Sequence, residues 1–226
     1  MTIAIIVAMD KELASINKVL TQPEEITVNG FKYHSGYYAD KKLILYKCGI
    51  GKVNAAVGAS VLIQTFKPDY LISSGVAGGI DKDVKVMDVV VSDLLVYHDA
   101  YTGEEGEGID IVNPFNVDEA LLNAAKEIQK ENPCIKIGTI CTGDQFITER
   151  NILESIKNKY PKGLAVDMES CAIAHTCKIF STPFISFRII SDTIGAEQHV
   201  EEYKNFWNTL AENSFNILLK YLETIK

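Results

Sequence analysis

The stretch Leu164 to Asp192, LAVDMESCAIAHTCKIFSTPFISFRIISD, holds the pattern on which the fold turns. A short run of Leu, Ala and Val gives way to ESCAIAHTCKIF, with apolar residues three and four apart, and then to a second run, PFISFRII. Continuous apolar runs of this length read as strands covered on both faces, and the spacing between them reads as a helix. Charged residues stand where a core would otherwise be buried: Asp167 and Glu169 end the first run, and Arg188 and Asp192 end the second.

The same alternation extends outward. TIAIIVA, KLILYKC, DYLISS, VMDVVVSDLLVY, IKIGTICTG and GLAVDM join PFISFRII as apolar runs. KVNAAVGASVLIQTF, NVDEALLNAAKEIQKEN, ERNILESIKNKY and the C-terminal VEEYKNFWNTLAENSFNILLKYLETI carry the helical period. Strands alternating with helices predict a layered α/β domain with binding residues at strand ends and in the loops that follow. No linker, composition shift or repeat divides residues 1–226, so a single domain is expected.

At 226 residues, 47% of them hydrophobic, the chain can bury a sizeable core without disulfides or metals. Its net charge of −8 opposes nucleic acid and anionic membranes as partners. The apolar opening before Asp10 is too short for a secretory or membrane-spanning segment, so a cytoplasmic chain starting here is expected. Cys48, Cys134, Cys141, Cys171 and Cys177 are odd in number and form no C-x-x-C pair, which fits buried reduced thiols.

Several motifs admit two readings. CGIGKVNAA, from Cys48, lacks the first glycine of a phosphate loop and the third of a dinucleotide fingerprint, which favours a tight strand-to-helix turn. SSGVAGGI, from Ser73, either punctuates a turn or lets backbone pass close to a ligand. His98 and Asp99 have no metal-spaced companions and read as a structural hydrogen-bonded pair. Glu169 can complement the dipole of its own helix, and Ser191–Asp192 is a common way to leave a strand. Alternation predicts opposite directions for Asp167 and Glu169 if both are extended. Together with Glu12, at the end of the first apolar run, these charges make an acid–base site.

In order, IIVAMDKEL, CGIGKVNAA, SSGVAGGI, VMDVVVSD, YHDA, TGDQFI, AVDMESCAIAH and FRIISD resemble the signature segments of bacterial 5′-methylthioadenosine/S-adenosylhomocysteine nucleosidases, within the nucleoside phosphorylase and nucleosidase superfamily. The resemblance implies a three-layer α/β sandwich around a central mixed sheet, a homodimer, and release of adenine from a small nucleoside without cofactor or metal. It makes Asp192 the acid that protonates adenine N7, which calls for a pKa well above the ordinary ~3.9. Glu12 becomes the carboxylate that activates water, Glu169 the one that holds the ribose hydroxyls, and Arg188 the arginine near the water and the ribose. Phe146 stacks on the purine, Ile147 reads the adenine edge through its backbone, and Met168 lies beneath the ribose, with Ile50, Val76 and Ser191 completing the substrate-binding set.

Val76 and Asp167 depart from the family pattern: Val76 stands where many members carry a hydroxyl, and Asp167 where Glu is more frequent. Two other functions stay open, a phosphate-dependent purine nucleoside phosphorylase and a catalytically silent nucleoside-binding module. The acidic YTGEEGEGID, Tyr101 to Asp110, reads as a mobile surface segment and replaces the aromatic stretch that the family uses near the 5′ group. A less apolar wall there predicts a reduced advantage of methylthioadenosine over adenosine and 5′-deoxyadenosine, because each buried methylene contributes only about 0.8 kcal/mol. Comparison of kcat/KM across these nucleosides checks it; a preference of several orders of magnitude for methylthioadenosine would contradict it.

Overall fold

The computed structural model describes residues 1–103, 113–193, 203, 206 and 215–225. Most of the acidic 101–110 segment and of the 200–214 helical pattern therefore lies outside the described residues.

Ten strands and six helices are described: β1 (Thr2–Val7), α1 (Asp10–Asn17), β2 (Thr21–Val28), β3 (Phe31–Tyr38), β4 (Lys41–Lys47), α2 (Lys52–Phe66), β5 (Tyr70–Gly79), β6 (Val89–Tyr97), β7 (Phe115–Asn116), α3 (Glu119–Gln129), β8 (Ile135–Thr142), α4 (Arg150–Lys159), β9 (Gly163–Asp167), α5 (Ser170–Phe180), β10 (Phe184–Thr193) and α6 (Asn216–Thr224). The expected apolar runs all become strands. The hairpin β2–β3 was not among them: its first strand, TQPEEITV, is mostly exposed and polar, and it turns through Asn29 and Gly30, both at positive φ.

The layers follow from alternation along β1. Ile3, Ile5 and Val7 face a core with Ile16 of α1, Leu121 and Ala125 of α3, and Leu218, Tyr221 and Leu222 of α6. Ala4 and Ile6 face the other way, onto Ala55, Ala59 and Leu62 of α2 and Ala172, Ile173 and Cys177 of α5. Period-2 alternation thus feeds two helical layers from one strand. The mixed sheet runs β2–β3–β4–β1–β5–β9–β8–β6–β10, and β10 also pairs with β5, so its last five strands close into a ring.

One edge of β5 is shared by two strands that approach each other. Parallel β1 pairs with it up to Ser73, and antiparallel β9 pairs with it from Gly78. The carboxyl ends of both strands stop short of meeting, leaving Ser74 to Ala77 facing a cleft. On the opposite edge β10 runs alongside β5 from Leu71 to Gly79, with a bulge between Ile190 and Asp192.

Candidate active site

Into the gap at β5 reaches Glu12, from the first turn of α1. Its Oε2 accepts the amides of Ala8 and Met9, both at 2.9 Å, and its Oε1 accepts the amide of Val76 at 3.1 Å. The carboxyl therefore serves its own helix start and also fills the hydrogen-bonding position that a neighbouring strand would have taken on β5. Burial raises its pKa above the ordinary value, against the opposing pull of Arg188 and these amides. Its buried position and raised pKa suit a proton acceptor.

Gly75 explains why the SSGVAGGI segment is glycine-rich. A Cβ there would lie 2.9 Å from Glu12 Oε1 and 3.1 Å from Arg188 Nη1, and a Cβ on Gly78 would lie 3.3 Å from Asp192 Oδ2. The backbone of β5 thus passes close to the side chains of Glu12, Arg188 and Asp192, and the segment is not a terminal turn, since β5 runs through to Gly79.

Arg188, on β10, is 2% exposed and held from several sides. Its Nε donates to Asp167 Oδ2 at 2.7 Å and its Nη2 to Ser73 Oγ at 2.9 Å, with Glu169 Oε2 3.9 Å away. Asp167 also accepts from Thr142 Oγ1 at 2.5 Å, from the Ser170 amide at 3.1 Å and from the Ser170 hydroxyl. Removing a partner of such a buried pair leaves an uncompensated charge, so Asp167 fixes Arg188 at substantial cost to any replacement. Asp167 and Glu169 are not both extended, so alternation does not send them to opposite sides, and both carboxyls come to Arg188. β9 ends at Asp167, and Glu169 is already the N-cap of α5, where strand alternation no longer applies.

Glu169 makes no cap bond to its own helix; its Oε1 accepts the Gly51 amide at 3.0 Å, at the start of α2. Burial first, and then the Asp167 charge, push its pKa up to about 7, against Arg188 and the Gly51 amide. Asp192 is buried within β10, which continues to Thr193, so Ser191–Asp192 does not leave the strand. The bulge at this point re-aims the chain. Ser191 Oγ donates to Asp192 Oδ1 at 2.7 Å and lies 3.2 Å from the Ala77 carbonyl.

These side chains line one cleft of about 680 Å³, counted to its open mouth. Glu12, Ile50, Val76, Phe146, Ile147, Met168, Glu169, Ser191 and Asp192 all border it. Arg188 stands behind this lining, within reach of Glu169. Tyr203 also borders the cleft, its ring 5.3 Å from that of Phe146 and its hydroxyl 3.9 Å from Met9 Sδ. No motif pointed to Tyr203, which is distant in sequence from both Phe146 and Met9.

His98 and Asp99 do not form the expected pair. Burial lowers the His98 pKa, and its Nε2 finds no partner among the described residues. Asp99 instead binds Lys52 Nζ at 2.9 and 2.7 Å. Cys141, Cys171 and Cys177 are buried, and all five thiols are free.

This constellation of buried charges lies on the mixed sheet of an α/β protein, at the gap beside β5. The chain belongs to the phosphorylase superfamily, whose family model matches residues 2–223. Within it, the chain falls among the 5′-methylthioadenosine/S-adenosylhomocysteine nucleosidases. It is 36% identical to the nucleosidase of that name from Geobacillus thermodenitrificans, over 100% of this chain and 98% of the relative. The S-adenosylhomocysteine nucleosidase from Streptococcus pyogenes, solved with 5-methylthiotubericidin, superposes with a TM-score of 0.92 at 31% identity, covering 100% of this chain and 98% of that one. The nucleosidase from Colwellia psychrerythraea, solved with adenine, gives 0.89 at 34% identity, covering 100% and 96%.

The raised Glu169 pKa carries a stability consequence. Between its ordinary 4.5 and about 7 the folded chain holds a proton that the unfolded chain has lost, so this group's contribution falls as pH climbs through that window and levels off above it. The interval corresponds to an upper bound of roughly 3 kcal/mol. Glu169→Gln should flatten the decline in unfolding free energy between pH 5 and pH 8, measured by denaturant titration of both proteins.

Proposed function

We propose that the chain hydrolyses the N-glycosidic bond of 5′-methylthioadenosine, S-adenosylhomocysteine and related 5′-modified adenosines, releasing adenine. The observation that carries this reading is the convergence of buried Glu12, Glu169 and Asp192 on one cleft, with Arg188 behind it. Nucleoside binding alone does not call for so many desolvated carboxyls.

Breaking the bond between C1′ and the purine nitrogen leaves positive charge on the ribosyl ring and negative charge on the base. Asp192 donates its proton to N7, so the bonding electron pair departs into a neutral adenine. Glu12 takes a proton from water as the water oxygen bonds to C1′. Glu169 holds the ribose hydroxyls, and Arg188, braced by Asp167, balances the carboxylates around them. Phe146 stacks on the purine, the Ile147 backbone reads its edge, Met168 packs beneath the ribose, and Ile50, Val76 and Ser191 close the remaining wall. No cofactor enters the reaction.

A homodimer in the cytoplasm fits this reading. Ile50, which borders the cleft, is 54% exposed, and Val53 and Val57, one turn apart on α2, are 74% and 48% exposed. Among the described residues no helix is long and apolar enough to cross a membrane.

Water is favoured over phosphate as the nucleophile because both arginines of the chain are already paired. Its arginines are Arg150 and Arg188; the first pairs with Glu154 at the surface and the second with Asp167. The amides of Gly51 and Lys52 in the glycine-rich loop already face carboxylates. Adenine release from methylthioadenosine is therefore expected in phosphate-free buffer, followed by chromatography; a strict need for phosphate with a ribose-1-phosphate product would make the chain a phosphorylase. Binding without turnover in folded protein would mark a silent module.

Asp192→Asn should keep most substrate affinity and lose roughly 10²- to 10⁴-fold in kcat, the usual contribution of a positioned proton donor. Single-turnover kinetics alongside equilibrium binding separate the two quantities. Turnover near that of the unaltered protein would return Asp192 to a purely structural role.

A further inference from the structure

Helix α2 begins at Gly51, an N-cap residue with no side chain to satisfy the first amides of the helix. Acceptors come instead from elsewhere in the chain. Glu169 takes the Gly51 amide, and Asp144 Oδ1 takes the Lys52 amide at 2.8 Å. Asp144 opens the loop that carries Gln145, Phe146 and Ile147 into the cleft. The start of α2 is therefore where the loop facing the purine meets the carboxylate facing the ribose.

Lys52 ties this junction together a second time. Its Nζ binds both oxygens of Asp99 and lies 3.8 Å from Asp144 Oδ2, while the Asp144 amide donates to Asp99 Oδ2 at 2.9 Å. Lys52 and Asp99 keep only 25% and 21% of their side-chain surface exposed. Isolated surface ion pairs contribute little, but one cation shared by two carboxylates, with backbone amides bonded into the same group, resists loss of any single contact.

We propose that Lys52 is a positioning residue: by pinning Asp99 and Asp144 it holds the loop of Phe146 and Ile147 in a fixed relation to Glu169, so that base and ribose are presented together. This rests on the nucleosidase reading of the cleft. Cleaving the bond between base and sugar demands both halves in register, and displacements near 1 Å can cost up to about 10²-fold in rate. Lys52 touches neither half, so its loss should weaken their mutual alignment more than the binding of either one.

The test uses the full chain and begins with the unaltered protein on methylthioadenosine. In Lys52→Met, which keeps an apolar stem, kcat is expected to fall about tenfold while the inhibition constant of free adenine changes less than about threefold; Lys52→Arg should recover most of the rate. Because methylthioadenosine is uncharged, salt cannot act by steering it. The kcat of the unaltered protein should therefore fall between about 0.05 and 0.5 M salt, as the partly exposed pairs are screened, and that of Lys52→Met should not. Unchanged turnover in folded Lys52→Met, or equal losses in turnover and adenine binding, would overturn the proposal. If Lys52→Met does not fold, Asp144→Asn, which keeps an oxygen for the Lys52 amide, should lose two- to fivefold in kcat, and no loss would overturn it. Absence of turnover in the unaltered protein would strike the functional reading alone. The lock would then be read by calorimetry, with adenosine affinity expected to fall tenfold in Lys52→Met against less than threefold for adenine.

Discussion

The site depends on a vacancy in the sheet. β1 and β9 run toward each other along one edge of β5 and end before they touch, so part of a central strand has neither neighbour beside it. Buried backbone polar groups cannot stay unsatisfied, and a side chain must supply what a strand would have supplied. Glu12 supplies it at Val76. Once one buried carboxylate is there, the charge balance of the region is set. Arg188 approaches across Gly75, and Asp167 approaches Arg188 in turn.

That chain of compensation lets Glu12, Asp167 and Glu169 share one buried region around a single guanidinium. Asp167 is bonded on both oxygens, to Thr142, Ser170 and Arg188, and acts on the cleft through that arginine and through its own charge beside Glu169. Glu169 and Glu12 retain raised pKa values because burial outweighs the amides and the single guanidinium they share. The same fold thus holds a carboxylate bonded on both oxygens beside carboxyls that burial shifts toward the protonated form.

The architecture was largely legible in the sequence because buried strands and amphipathic helices differ in period. The hairpin β2–β3 escaped because its first strand gains its stability from pairing with β3 and carries almost no apolar alternation. Its signal was the Asn29–Gly30 turn, a dipeptide that tolerates positive φ at both positions. The carboxylates of the site could be named from their strand-end positions. Which of them paired could not, since the directions of Asp167 and Glu169 depend on where β9 stops. The Lys52 cluster and Tyr203 were invisible for a related reason: their partners lie tens of residues away, and no local spacing encodes such a meeting.

Closing five strands into a ring leaves the sheet with an open end at β2. That strand carries Pro23, which has no amide hydrogen to offer, followed by Glu24 and Glu25 in a stretch that is almost entirely exposed, with a register irregularity beside them. A second molecule trying to extend the sheet there would meet a missing donor, a kinked backbone and like charges. The fold is thereby guarded against growing into ribbons of stacked copies, and encounters between molecules are turned toward helical surfaces.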